Sequence, residues 1–325
     1  MSRNPEGVAE AIRKAQSIAL CSHVNPDGDT IGCSLAMRLG LLSLGKTVSV
    51  FCEDKVPDNL MMLPGAETVR RPQESEEVYD LFLALDVSTP ERLGSGGQAM
   101  MERCLSTAQI DHHPTNPLYA RVNSVDGKAP AACVLIREQL RTLGVPLTKD
   151  LAECLYTGLS TDTGNFSYAA TTAEVFEIMA ELMGTGFPLA ELSRILFQER
   201  SREQVLLMGK AFSHLTFQGK GKIAVMTLTR EDFEQSGALE EHADGLINYG
   251  LDTPGTEMAV MAREAGEGKI KFSLRTKAPR RVDLIAERLG GGGHAQASGV
   301  TLAGSLVETL KTVLAEMEKE LLKTE

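Results

Sequence analysis

No two cysteines in this chain are spaced as CxxC, no apolar run is long enough to cross a bilayer, and basic charge is not in excess. Each absence narrows the function. The six cysteines, Cys21, Cys33, Cys52, Cys104, Cys133 and Cys154, all lie in the first half and several sit inside apolar stretches. That distribution reads as reduced, buried thiols of a cytoplasmic protein rather than as a disulfide framework. The opening Met1-Ser2-Arg3-Asn4-Pro5-Glu6 has no apolar signal core and leads into an amphipathic helix. Without a membrane span, no membrane partner is expected. The formal net charge is −11. Proteins that grip long nucleic acid draw most of their affinity from basic surface, so a long duplex is not an expected partner. A nucleic-acid substrate would have to be short or held by a local basic patch. Internal repeats and low-complexity tracts are also missing.

What is present is an alternation of strand and helix signals. Ser17–Ser22, Lys46–Cys52, Leu81–Val87 and Ala108–Ile110 read as buried strands. Thr30–Leu44, Ala131–Leu143, Lys149–Leu159 and Thr172–Met183 read as helices. Apolar strands alternating with helices predict an α/β fold, a mostly parallel sheet flanked by helices, with its site at the carboxyl ends of the strands. At 325 residues the chain is long for a single core. Gly184-Thr185-Gly186-Phe187-Pro188 breaks the helical pattern, and a polar helical stretch, Gln198–Glu203, follows. Beyond it a smaller mixed α/β unit is expected. Its strands are Ile223–Leu228, Glu257–Arg263 and Lys269–Leu274, with a hairpin turn at Gly266-Glu267-Gly268 and helices at Val282–Leu289 and Leu306–Leu322. The expected division is 1–187, a linker over 188–203, and 204–325, with a cleft between the two domains.

Four separated clusters of Asp and His close apolar stretches. They are His23-Val24-Asn25-Pro26-Asp27-Gly28-Asp29, Asp86 after Tyr79–Leu85, Asp111-His112-His113, and Asp162 in Gly158–Gly164. Singly each has an ordinary explanation: Asp29 suits a helix N-cap and Asp162 a turn. Together they would crowd carboxylates at strand ends, where like charges repel unless a cation is present. Oxygen and imidazole donors without thiolate suit Mn²⁺, Mg²⁺, Co²⁺ or Zn²⁺. Asp27 and Asp29, one residue apart, are spaced to address two adjacent ions. Two ions roughly 3.5–4 Å apart that share a carboxylate are a standard device for phosphoryl transfer to water.

Downstream, Gly290-Gly291-Gly292-Gly293-His294 lies between a helix and a strand. It reads either as a flexible loop or as backbone that approaches an anion closely. Lys269, Lys271, Arg275, Lys277, Arg280, Arg281 and Arg288 stand nearby against only Asp283 and Glu287, a basic stretch in an acidic protein.

These motifs resemble the DHH phosphoesterase superfamily. His23-x-x-Pro26-Asp27-x-Asp29, Asp86, Asp111-His112-His113 and Asp162 are similar to its four motifs. Gly290–Gly299 resembles the glycine-rich signature of the DHH-associated C-terminal domain. The form most similar is the stand-alone nano-RNase and 3′-phosphoadenosine-5′-phosphate (pAp) phosphatase branch. RecJ-type exonucleases share the motifs but are longer, and family II pyrophosphatases have a different second half. The resemblance implies two Mn²⁺ per chain, with Mg²⁺ or Co²⁺ as substitutes. It implies His23, Asp27 and Asp86 on one ion, and Asp29, Asp86, His112 and Asp162 on the other. It further implies that Asp111 orients a neighbouring imidazole, that His113 faces the substrate phosphate, and that Arg275, Gly291, Gly292, Gly293 and His294 bind substrate. The expected activity is hydrolysis of short RNA oligonucleotides to nucleoside 5′-monophosphates, and of pAp to AMP and phosphate. Cyclic di-AMP or pApA cleavage is the alternative enzyme, and an inactive nucleotide sensor the alternative of another class. A homodimer is compatible with the sequence, although no segment marks an interface.

Overall fold

A computed structural model describes residues 3–266 and 268–322, and the chain divides between Glu199 and Arg200 into two compact units. Met1, Ser2 and Glu267, the middle of the expected hairpin turn, lie outside the described residues.

The first unit runs α1 (Pro5–Lys14), β1 (Ser17–Cys21), α2 (Gly28–Ser43), β2 (Thr47–Phe51), β3 (Leu81–Leu85), α3 (Gly94–Arg103), β4 (Thr107–Asp111) and β5 (Val122–Val125). Helices α4 (Ala132–Thr142), α5 (Lys149–Asp162), α6 (Ala173–Met183) and α7 (Leu189–Phe197) complete it. All strand pairings are parallel, in the order β2-β1-β3-β4-β5. The unbroken apolar runs of the strands are explained by burial on both faces. Ile18, Leu20, Leu83 and Ile110 pack with the helices α2, α4 and α5, and Ala19, Cys21, Phe82 and Ala84 face Leu93 and Met100 on the other side. The chain leaves β1 toward β2 on one side while β3 lies on the other, so the order reverses between β1 and β3. Ligands of open α/β sheets settle at such a reversal.

Helix α2 packs closely along α5. A Cβ on Gly32 would sit 2.5 Å from the Cys154 carbonyl oxygen, and one on Gly158 would strike Cys133 Sγ and Asp29 Oδ1. The N-cap of α2 is Asp27 rather than Asp29: Asp27 Oδ1 accepts from the backbone N–H of Asp29 at 3.0 Å and of Thr30 at 3.1 Å. The helix therefore begins before Thr30, and Asp29 lies in its first turn. Asp162, read as a turn residue, is the last residue of α5. Helix α7 buries Leu192 and Leu196 in the first core. Residues 198–201, read as helical, lie outside any helix, because Ser201 caps the next one by accepting from Gln204 N at 3.0 Å.

The second unit runs α8 (Arg202–Ser213), β6 (Thr216–Gln218), β7 (Ile223–Leu228), α9 (Arg230–Ser236), α10 (Leu246–Leu251), β8 (Met258–Glu264), β9 (Lys269–Thr276), α11 (Asp283–Arg288), β10 (Gly292–His294), β11 (Ala297–Ala303) and α12 (Leu306–Leu322). Its sheet, β10-β11-β9-β8-β7-β6, is antiparallel except where β7 meets β8. One face carries Phe272, Leu274 and Val300 against Val313 and Met317, and the other carries Met226 and Met261 against Leu207, Leu246 and Ile247.

Candidate metal centre

Each sequence cluster sits where an element of the first unit ends or begins. His23 follows β1, Asp27 and Asp29 open α2, Asp86 follows β3, Asp111 ends β4 with His112 and His113 beyond it, and Asp162 closes α5. Asp86 is central. Its Oδ2 lies 3.7 Å from His23 Nε2, which is also 3.6 Å from Asp27 Oδ2. Its Oδ1 lies 3.4 Å from His112 Nε2 and 3.6 Å from His113 Nδ1. His112 Nε2 in turn is 3.1 Å from Asp162 Oδ2 and 3.9 Å from Asp29 Oδ2. Four donor groups result among the described residues: His23–Asp27–Asp86 and Asp29–His112–Asp162, with Asp86 within reach of both, and beside them Asp86–His112–His113 and Asp29–Cys33–Cys133.

Asp86 is costly where it stands. Its φ is 60°, in the left-handed region, and its buried Oδ1 has no hydrogen-bond partner among the described residues. A left-handed non-glycine residue costs of order 1–3 kcal/mol, and an orphaned buried acceptor costs a similar amount. A divalent cation at these oxygens would remove the second cost, and the oxygen and imidazole donor set fits a hard or borderline ion.

The charge balance agrees. Burial drives the Asp29 carboxyl well above its ordinary range, and Asp86 and Asp162 drive it further, against the pull of His112. Burial likewise lifts Asp86 to about 6, although His23 and His112 oppose it. Burial disfavours the His23 imidazolium, but Asp27 and Asp86 outweigh it and carry the ring up to about 10. His112 also reaches about 10, where Asp162, Asp29 and Asp86 outweigh burial. Crowded carboxylates thus hold protons on their histidines, and a bound cation would take the place of those protons.

Several supports were not visible in the sequence. The Asp29 carboxylate accepts from Ala132 N at 2.5 Å and Cys133 N at 3.0 Å. These are the first N–H groups of α4, which have no acceptor within their own helix. Cys33 Sγ donates to Asp29 Oδ1 at 3.4 Å and lies 3.3 Å from Cys133 Sγ. All six cysteines are free, five of them buried. Asp111, fully buried, accepts from His113 Nδ1 at 2.8 Å and from Asn116 Nδ2 at 2.6 Å. The Asp111 contact raises His113, which burial opposes. Arg92 Nη2 lies 2.9 Å from His23 Nδ1. Apart from the Asp111–His113 pair, whose role the motif implied, none of these partners carries a motif, and Ala132, Cys133 and Arg92 lie far in sequence from the residues they serve.

The glycine-rich segment belongs to the second unit as an ordered edge strand. Register places His294 opposite Ala297, and Ala297 opposite Arg275, so His294 and Arg275 share one face two strands apart. Gly291 is required by packing, since a Cβ there would strike the Gly299 carbonyl, whereas Gly292 has open space around its Cβ position. Of the basic stretch, Arg280, Arg281 and Arg288 are paired with Glu257, Asp283 and Glu316. Arg275 forms no ion pair among the described residues and donates to the Leu274 carbonyl at 3.0 Å. No helix among the described residues is long and apolar enough to cross a membrane.

The DHH family, N-terminal domain, matches residues 17–159, and the DHHA1 domain matches 220–323. The chain is 35% identical over 319 residues to the bifunctional oligoribonuclease and PAP phosphatase NrnA of Thermus thermophilus, spanning 97% of this chain and 93% of that protein. It is 26% identical over 317 residues to the protein of the same description from Bacillus subtilis, spanning 93% and 96%. A crystal structure of an exopolyphosphatase-related protein from Bacteroides fragilis superposes with a TM-score of 0.89 at 26% identity, over 98% of this chain and 96% of that one.

Proposed function

This chain belongs to the DHH family, and from that premise we propose that it is a Mn²⁺-dependent phosphoesterase that hydrolyses oligoribonucleotides of two to a few residues to nucleoside 5′-monophosphates and converts pAp to AMP and phosphate. The observation that carries this is the pair of donor groups joined at Asp86, in a chain similar over nearly its whole length to proteins described as having both activities. His23, Asp27 and Asp86 would hold one ion, and Asp29, Asp86, His112 and Asp162 the second. When bound, the ions supply Lewis acidity to phosphoryl oxygens and lower the pKa of water.

The rest of the chemistry falls to the chain's own side chains. Ala132 N, Cys133 N and Cys33 Sγ hold Asp29 in a fixed orientation. Asp111 binds Nδ1 of the half-buried His113, which directs its Nε2 to donate a proton to the leaving oxygen. Arg275, His294 and the backbone of Gly291, Gly292 and Gly293 would bind a substrate phosphate. Their shared face and the open space at Gly292 support that role. Free, buried thiols favour a reducing, cytoplasmic setting.

The test is a chromatographic assay with Mn²⁺ on one panel: pApA, pAp, cyclic di-AMP, pyrophosphate and a long RNA. Fast loss of pApA, with or without pAp, and little loss of the others is the expected result. Cleavage of cyclic di-AMP first would move the protein to cyclic-dinucleotide turnover. Silence across the panel, with no ion bound after Mn²⁺ soaking, would make it a nucleotide sensor.

A further inference from the structure

The second unit buries a cation that no acceptor holds firmly. Arg263 is 5% exposed. Its Nη1 lies 3.3 Å from the Glu240 carbonyl oxygen and 3.6 Å from Oδ1 of the largely exposed Asp244, and its Nη2 lies 3.5 Å from Ser273 Oγ. Its buried Nε has no hydrogen-bond partner among the described residues. Contacts of this length are at or beyond the limit of a normal hydrogen bond, and a buried guanidinium without a close anion is costly.

Arg263 borders a cavity of about 290 Å³, whose walls include Phe233, Leu239, Glu240, Glu264 and Lys271. Register sets Lys271 directly opposite Arg263, so the two side chains leave the same face of the sheet with Cβ atoms about 5 Å apart. Lys271 Nζ is 3.8 Å from Glu240 Oε2, too far for a hydrogen bond. Glu264 is occupied elsewhere, since its Oε2 accepts from the Arg230 backbone N–H at 2.8 Å. Two cations thus meet at the cavity, and among the described residues no carboxylate stands within hydrogen-bond distance of either. The half-buried Phe233 and the exposed Leu239 add an apolar wall. Cations beside apolar surface suit a phosphate that carries an aromatic base.

The sheet indicates which phosphate. Lys271, Ser273 and Arg275 alternate along β9 with the core residues Ile270, Phe272 and Leu274, so all three share the face that carries His294. Four strand residues separate Lys271 from Arg275, about 13 Å. We propose that the cavity beside Arg263 and Lys271 is a second phosphate subsite, which takes a later nucleotide of an oligoribonucleotide whose nearer phosphate rests at Arg275. This rests on the reading of the chain as a phosphoesterase of short oligoribonucleotides. The subsite gives a longer oligonucleotide a hold that a dinucleotide lacks. It also gives Lys271 a role within the basic stretch, where Arg280, Arg281 and Arg288 are paired with carboxylates.

The experiment measures binding in chelator, where hydrolysis does not interfere, by calorimetry on the full-length protein at several salt concentrations. The ligands are pApA, pApApApA and AMP. Wild type is compared with Lys271→Ala, Arg263→Met and, as a control, Lys311→Ala at an exposed position of α12. Wild type should bind the tetranucleotide more tightly than pApA. Both cavity variants should weaken the tetranucleotide by roughly tenfold to a hundredfold, the usual worth of a charged hydrogen bond, and leave pApA within twofold. Each should also make the salt dependence of tetranucleotide binding shallower by about 0.7 in slope, the share of one phosphate on a single strand. A tetranucleotide bound no more tightly than pApA by wild type, or equally well by Lys271→Ala, would overturn the proposal. So would a loss shared by pApA or by Lys311→Ala, which would be a general effect of charge. Weakened AMP binding in Lys271→Ala with the tetranucleotide unaffected would overturn it too, and would give the cavity to a free nucleotide. If Arg263→Met does not fold, Lys271→Ala decides alone. If the Mn²⁺-loaded wild type leaves pApA intact, the phosphoesterase reading fails, while binding in chelator still judges the subsite.

Discussion

Replacing Asp86 by Asn should stabilise the metal-free protein and destabilise the loaded one. Asn keeps the shape of the side chain and tolerates the left-handed backbone, so the change is one of charge. Asp86 is raised from an ordinary 3.8 to about 6, a net effect that already contains the attraction of His23 and His112. Two units correspond to about 3 kcal/mol at most, by which ionisation of Asp86 penalises the metal-free fold at neutral pH. In a unit of this size that converts to a rise in Tm of roughly 5–10 °C on substitution. The sign with pH follows from linkage. The unfolded chain ionises Asp86 near 3.8 and the folded chain near 6, so the penalty grows between those values and is complete above them. The gain from Asn should be full above about pH 6, fade as pH falls toward 4, and vanish below. With Mn²⁺ in large excess the order should reverse. Wild type gains about 4.1 kcal/mol at a thousandfold excess over Kd, more than the penalty of about 3 kcal/mol, and the variant, without its shared ligand, gains little. Thermal melts from pH 4 to 8, in chelator and in Mn²⁺, test both halves. A variant that melts below wild type in chelator at pH 7.5 would refute the repulsion on which the metal argument rests.

Other perturbations probe the surroundings of the centre. Gly158→Ala should cost about 2 kcal/mol of stability, lowering Tm, and weaken Mn²⁺ binding, because the new Cβ strikes Cys133 Sγ and Asp29 Oδ1. A higher Tm from improved helix propensity, with Mn²⁺ affinity intact, would contradict it. Asp111→Asn should move the alkaline limb of the pH–rate profile to lower pH, since the Asp111 carboxylate is what raises His113. An unmoved limb would remove His113 as the proton donor. Arg275→Ala should raise the KM for dinucleotides about tenfold at unchanged kcat and Mn²⁺ content, as loss of uniform binding does. An unchanged KM would take Arg275 out of the site.

The strands and the acidic and histidine residues at their ends were legible because burial on both faces leaves an unmistakable apolar run, and the runs of β1, β3 and β4 stop at or just before a candidate ligand. Elements held by tertiary contact were not. Helix α3 carries three glycines and no helical signal, yet Gly97 lets it approach β1, where a Cβ would lie 3.2 Å from Cys21 Sγ. Strand β5 is four residues long with Asn and Ser inside it. The clasp of α4 on Asp29 joins residues 103 positions apart, and the contact of Arg92 with His23 joins residues 69 apart. Both are products of the fold, and local pattern contains no trace of them. The identity of the α2 cap also escaped, since Asp27 and Asp29 are chemically equal and only backbone geometry separates them.

The six candidate ion-binding side chains and the phosphate-binding candidates Arg275 and His294 are anchored in different hydrophobic cores. Evolution can therefore treat them as separate modules. Substitution within 216–303 can change the surroundings of Arg275 and His294 while the packing that orients Asp29, Asp86 and His112 goes undisturbed. The ligand geometry of the first unit and the surface chemistry of the second are therefore free to change independently of one another.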